Sequence, residues 1–188
     1  MKKLFILCFA VLATIATQAQ TWTADKAHSK LSFTVTHMSI SEVDGTFGKF
    51  DATVTSSKED FSDAVFNLTA DVASIATGNE MRDGHLKKED MFDATKFPNL
   101  TFKSTGITKT ADKKFALTGD LTIKGVTKPV TLDLTLLGTT VGRDGKKLAG
   151  FKAGGSINRK DFGVGAGMPA MMLSESVELR ASGEFKAN

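Results

Sequence analysis

FALTGDLTIKGVTKPVTLDLTLL, residues 115–137, decides the fold. Phe115, Leu117, Leu121 and Ile123 fall in one phase of a two-residue period, and after Lys124-Gly125-Val126 the period resumes in Val130, Leu132, Leu134 and Leu136. In a strand successive side chains point to opposite faces, so this pattern predicts two half-buried strands joined by a tight turn. The same period recurs on both sides. Leu31, Phe33, Val35 and His37 share one face of Leu31–His37, with three hydroxyl residues on the other. Residues 45–55 place Phe50, Ala52 and Val54 inward, with a bulge expected at Gly48. Residues 65–72 align Phe66, Leu68, Ala70 and Val72; residues 100–107 form the next strand; residues 148–159 align Ala149, Phe151, Ala153, Gly155 and Ile157; a last strand covers 177–185. Asp144-Gly145 is a hairpin signal.

About eight strands with short connections predict an all-β, extended eight-stranded antiparallel β-barrel, since closure removes exposed strand edges. A barrel of that size is either filled by side chains or holds one small ligand. Small inward residues such as Ala70, Ala149, Ala153 and Gly155 lie near the phenylalanine positions and favour a cavity. Strand phase nominates Phe33, Val35, Phe50, Phe66, Leu68, Phe102, Leu121, Leu132 and Phe151 as its lining.

One stretch departs from the strand pattern. TGNEMRDGHLKKEDMFDATKFPNLTFKS, residues 77–104, predicts the one main helix, within Thr77–Met91. Thr77 and Glu80 make a capping-box pattern. Met81, His85 and Met91/Phe92 fall roughly on one face, opposite Lys87, Lys88 and Glu89. Pro98 disfavours helical geometry at Phe97 and ends the segment. A helix isolated in an all-β chain reads as a cover over a barrel end. One connection differs from the short ones: a glycine- and methionine-rich loop, Asp161–Ser174.

The chain has 188 residues. Lys2-Lys3, an apolar run from Leu4 to Ala16 and Thr17-Gln18-Ala19 predict a signal peptide over residues 1–19 and one domain over 20–188. The mature protein would then be periplasmic or secreted. It would lack Cys8, the single cysteine, which excludes thiol catalysis and disulfides. Removing Lys2 and Lys3 leaves 22 of 24 basic residues against 21 acidic ones, so the formal net charge falls from +3 to +1. The remaining cations are dispersed, so no nucleic-acid stripe is evident. Fourteen phenylalanines and no tyrosine supply aromatic bulk without hydroxyls to satisfy.

His28, His37 and His85 lie on separate elements without metal-ligand spacing, so no metal site and no cofactor are expected. There is no GxSxG, P-loop or dinucleotide fingerprint. Arg159 ends an inward strand phase. It reads either as an ion-pair partner of Asp83, Asp90 or Asp161, or as part of a polar ring with His37, Arg82, His85 and Asn158 at one barrel end. That ring would either orient a ligand head group or latch the lid.

Several marks occur in order along the chain: Trp22-Thr-Ala-Asp25, His28-Ser29, Phe33, His37, Gly45-Thr-Phe47, Arg82-Asp-Gly-His85-Leu86, Met91-Phe92-Asp93, Phe97-Pro98, residues 121–130 and Ile157-Asn-Arg-Lys-Asp-Phe-Gly163. Together they resemble the YceI-like proteins over essentially the whole mature chain. Met91 is a mild departure, standing where a bulkier aromatic is expected. The resemblance implies a lipocalin-like barrel with a hydrophobic tunnel for a polyisoprenoid or quinone-type tail and establishes no reaction; the leading reading is a binding protein, not an enzyme, with transient membrane contact. Two other readings stay open at this stage: an enzyme using His37, His85 and Arg159 on a small hydrophobe, and a stress-related interaction protein with a filled barrel.

Overall fold

The computed structural model describes residues 18–188. The expected signal peptide therefore lies outside the described residues, except for its last two positions. Among the described residues ten strands and one α-helix form: β1 Gln20–His37, β2 Ser41–Phe47, β3 Phe50–Ser56, β4 Val65–Asp71, β5 Ile75–Ala76, α1 Glu80–Leu86, β6 Asn99–Ala111, β7 Lys114–Ile123, β8 Val126–Val141, β9 Lys147–Asn158 and β10 Leu173–Ala187. Eight of the strands close an antiparallel barrel in the order β1-β3-β4-β6-β7-β8-β9-β10, with β10 returning to β1. The other two are short additions: β2 pairs with the second half of β1, and β5 pairs with β2.

The predicted strands all recur, with two refinements. Residues 45–55 are not one bulged strand but two, β2 and β3, separated at Gly48-Lys49. There the Gly48 and Lys49 N–H groups donate to Ser74 instead of to a strand partner. β1 also begins eleven residues before Leu31, because pairing with β10 carries it through Asp25–His28, where the register shifts and the alternation is lost. The turn after β7 has φ of 52° at Lys124 and 75° at Gly125, the two positive values a two-residue type I′ hairpin requires. Gly125 is needed for a second reason, since a Cβ there would meet the Phe97 ring at 2.6 Å.

The helix spans Glu80–Leu86, inside the expected Thr77–Met91, but its cap differs from the expected one: the N-cap is Asn79, whose side chain accepts from the Arg82 N–H. Thr77 Oγ1 instead donates to Asp83 Oδ1 at 2.6 Å. No residue of the helix is fully buried and Met81 is 87% exposed, so the expected apolar face with Met81 is absent. The segment C-terminal to the helix provides the cover: Met91 is buried, and Phe92, together with Leu86 at the helix end, packs on the core.

The two barrel ends differ. At the end where β1 begins, the β3–β4 connection inserts Phe61, 2% exposed, against Trp22 and Phe151 at ring-centroid distances of 5.3 and 5.0 Å. Phe66 and Phe185 stack edge-on against the other sides of Phe151. Phe61 sits at φ 58°, a left-handed conformation costing about 1–2 kcal/mol, which burial of the ring outweighs. Asp63 pins this connection. Burial alone would raise its carboxyl pKa, but hydrogen bonds from the Ser56 and Ser57 hydroxyls and the Ser57 and Lys58 N–H groups outweigh that and hold it well below the usual carboxylate range. The opposite end is covered by two connections, residues 77–98 and 159–172. They are stitched together by Gly165 N–H donating to the Asp90 carbonyl at 2.9 Å, and by Lys124 Nζ donating to the carbonyls of Glu89 and Gly163.

Candidate binding cavity

Between the aromatic plug and the two covering connections the barrel is hollow. The cavity is about 330 Å³, near the lower end of the range for small-ligand sites, roughly 300–1,000 Å³. All nine residues nominated from strand phase line it: Phe33, Val35, Phe50, Phe66, Leu68, Phe102, Leu121, Leu132 and Phe151. Phe50, Leu68, Val130, Leu132, Ala153 and Leu179 face it yet are only half-buried, which is how a space left open by the core registers on its walls. Phe66 and Phe151 have a second role as members of the plug.

The small inward residues divide by depth. Ala70 and Ala149 are fully packed, and the space over Gly155 is taken by Leu132, whose Cδ2 would lie 2.7 Å from a Cβ there. Phe33 lies over Gly45 and Phe102 over Gly119 so closely that a Cβ at either glycine would collide with the ring. The glycines thus place these two rings in the cavity wall. Phe47, Leu86, Phe92 and Leu173 complete the lining near the cover; strand phase does not nominate them because they lie on the short β2, at a strand start or on non-strand segments.

The polar set gathers only in part. His37, Arg82 and Arg159 reach the cavity; His85 and Asn158 do not. His37 is exposed at the rim. Arg82 donates through Nε and Nη2 to the hydroxyl and carbonyl of Thr77. His85 Nε2 is 2.9 Å from Asp90 Oδ2, and this hydrogen bond is the main cause of the lowered Asp90 pKa. Asn158 caps the 3-10 turn Arg159–Phe162 through the Lys160 N–H and donates to Glu175 at 3.3 Å.

Arg159 is 4% exposed and its partners are not the carboxylates proposed from sequence. Nε donates to the Ser174 carbonyl at 2.9 Å, Nη1 to the carbonyls of Val164 (2.9 Å) and Gly165, and Nη2 to those of Met168 (3.1 Å) and Leu173 (2.9 Å). A guanidinium has five N–H groups, and five carbonyls take them. Burial lowers its pKa, and the nearby Glu175 charge opposes that effect. Arg159 is thus a clip holding the methionine-rich loop over the barrel end.

The three histidines remain apart. His28 hydrogen-bonds Asp25 at 2.9 Å on the β1 irregularity, and Glu184 lies close enough that one ligand atom from each of the three falls within 4.8 Å of the others. Among the described residues this is the group able to offer metal-ligating atoms; it lies on the outer surface, and residue spacing alone did not bring Glu184 to it.

A closed eight-stranded antiparallel barrel with an apolar hollow and a clipped cover is the architecture of the lipocalin-like barrels. A YceI-like domain matches residues 22–185, and the chain belongs to the YceI-like family. It is 38% identical over 183 residues to Protein YceI of Salmonella newport (strain SL254), covering 96% of this chain and 94% of that protein. The crystal structure of the Campylobacter jejuni YCEI protein superposes with a TM-score of 0.75 at 34% identity, over 81% of this chain and 90% of that one. A polyisoprenoid binding domain from Saccharophagus degradans shares the fold, with a TM-score of 0.66 at 16% identity over 89% of this chain and 98% of that one.

Proposed function

We propose that this protein binds and carries a polyisoprenoid-type lipid, with the tail in the barrel cavity and Phe33, Val35, Phe50, Phe66, Leu68, Phe102, Leu121, Leu132 and Phe151 as its contacts. The observation that carries this reading is an apolar hollow inside a barrel whose ends are both closed by well-packed groups. The fold shared with the Saccharophagus polyisoprenoid binding domain supports it. A quinone-type lipid is the finer form of the proposal. Binding rather than catalysis is favoured because three of the polar side chains at the covered end, Arg82, His85 and Arg159, are committed to contacts within the cover.

Magnitudes restrict the mechanism. Burying a five-carbon unit from water is worth about 4 kcal/mol at about 0.8 kcal/mol per carbon. Eight units would exceed about 30 kcal/mol, beyond the ceiling of roughly 18–21 kcal/mol for non-covalent affinity. The working exchange is therefore with a membrane, where transfer of the tail is nearly neutral and cavity shape decides what is held. Such a carrier belongs in the periplasm or outside the cell, in keeping with the Lys2-Lys3 and Leu4–Ala16 pattern. Intact mass of the native protein should give an N-terminus at Gln20.

The test is native mass spectrometry with lipid extraction on the wild type and on Leu68→Trp and Leu132→Trp. Both residues face the hollow, so a folded variant should lose co-purifying isoprenoid. Retention of the lipid by both folded variants refutes the cavity as the binding site.

A further inference from the structure

The barrel wall has a gap. β1 pairs with β3 from Gln20 to Thr23, opposite Ser56 to Thr53, and with β2 only from Leu31, opposite Phe47. Between these ladders, residues 24–30 have no strand partner on that side. The facing chain cannot supply one, because at its kink Gly48 and Lys49 spend their N–H groups on Ser74, and the Lys49 carbonyl accepts from Asp71 N–H.

An outer hollow of about 550 Å³ lies over this gap. It shares Ser29, Lys30, Leu31, Phe47 and Phe50 with the inner cavity, so these residues wall both hollows. At the junction Ser29 Oγ is buried and has no hydrogen-bond partner among the described residues. A buried hydroxyl without a partner is unfavourable, and a ligand oxygen would supply that partner.

The charges at the gap are unevenly committed. Lys26 pairs with Asp51 at 2.9 Å, and Asp71 accepts from the Ala73 N–H. Lys30 and Lys49, on the same outer hollow, have no ion-pair partner among the described residues. At the covered end the opposite holds, with every Arg159 N–H taken and Arg82 turned onto Thr77.

We propose that this gap is a lateral portal, and that the ligand is an amphiphile whose anionic head, a phosphate or carboxylate, rests on Lys30, Lys49 and Ser29 while its tail enters the cavity. This rests on the cavity reading and specifies the ligand class, an anionic lipid in place of the neutral quinone form. Lysine ammonium groups serve as point charges for such heads, and exposed ones act through a salt-screened attraction.

The experiment measures binding of a C15 isoprenoid alcohol, its monophosphate, the C15 isoprenoid carboxylic acid and inorganic phosphate, at low and high salt. It compares the wild type with Lys30→Gln/Lys49→Gln and with Arg82→Gln, each checked for fold by thermal unfolding. The wild type should prefer one or both anionic lipids over the alcohol by on the order of tenfold, the scale of two exposed ion pairs. Which lipid is preferred identifies the head. The lysine variant should lose that preference and its salt dependence, its affinity for the anionic lipids falling to that for the alcohol. Equal binding of alcohol and anionic lipids by the wild type overturns the portal head site but leaves the cavity reading standing. So does a preference abolished by Arg82→Gln and kept by the lysine variant, or inorganic phosphate binding as tightly as the prenyl phosphate. Failure of all three lipids to bind the wild type refutes the cavity reading itself.

Discussion

Replacing Arg159 should release one loop without unfolding the barrel. In Arg159→Met the side-chain bulk remains and five carbonyls lose their donors. Those of Met168, Leu173 and Ser174 belong to half-buried residues, and water can replace the guanidinium there. Those of Val164 and Gly165 belong to buried residues. Two orphaned buried acceptors at about 1–3 kcal/mol each give roughly 2–6 kcal/mol. Removing the guanidinium also returns its own desolvation penalty, so the lower part of the range, about 2–3 kcal/mol, is expected. For a domain of this size that is a Tm fall of roughly 4–12 °C. Hydrogen exchange should be faster at Gly165, Met168 and Leu173, whose N–H groups donate to Asp90, Gly165 and Pro169 respectively. The β7 and β8 amides should stay protected. Arg159→Lys keeps the charge but offers three donors from one point, so it should fall between. Unchanged exchange at these three amides, together with selective loss of a headed ligand over a headless one of equal length, would refute the clip and return Arg159 to ligand recognition.

Phe61→Ala should cost about 3–5 kcal/mol, because it removes a buried ring from the Trp22–Phe151 contact and leaves a left-handed residue without its compensating burial; a loss below about 1 kcal/mol in denaturant unfolding would mean the plug is not a structural stopper. The Asp25–His28 pair gives a pH signature. The Asp25 hydrogen bond and charge, then Glu184, raise the His28 pKa above 6.5, and the His28 hydrogen bond is the first cause lowering Asp25 below 3.8. A raised histidine stabilises fully below 6.5 and loses that contribution as pH climbs through its folded value; a lowered aspartate contributes above 3.8 and loses it as pH falls. The pair therefore contributes most between those limits, and in an NMR titration Asp25→Asn should move His28 back toward 6.5, an unmoved value counting against the assignment.

Strand phase was legible because a closed barrel with one apolar side forces the two-residue period onto every strand. Hence Phe33, Leu68, Leu121 and Leu132 all face inward as read. Depth was not legible, since Ala70 and Ala153 occupy equivalent phases and one is packed while the other borders open space. Phe61 was invisible to strand phase, because it sits in a short aperiodic connection and is placed by long-range contact with Trp22 and Phe151. The capping box failed by competition: Thr77 has the right spacing to Glu80, but Asp83 and Arg82 claim its hydroxyl and Asn79 caps the helix two residues later. Charge matching offers Arg159 only charged or ligand partners, a carboxylate or a head group. Its acceptors are carbonyls of a loop whose course no side-chain pattern encodes.

The same contrasts rank the routes by which a tail could enter. Moving the cover requires breaking the Arg159 clip, the Gly165–Asp90 bond and both Lys124 contacts. Moving the plug requires withdrawing Phe61, at about 3–5 kcal/mol. Widening the gap beside β1 breaks no ladder hydrogen bond, and the Lys26–Asp51 pair that spans it is mostly exposed on both sides, the kind worth about 0.2–1 kcal/mol. A carrier exchanging a nearly isoenergetic tail with a membrane needs a low barrier more than a tight grip. The wall at residues 24–30 is where this fold supplies one, and the Gly48-Lys49 kink, which turns its N–H groups onto Ser74, is what keeps that wall unsealed.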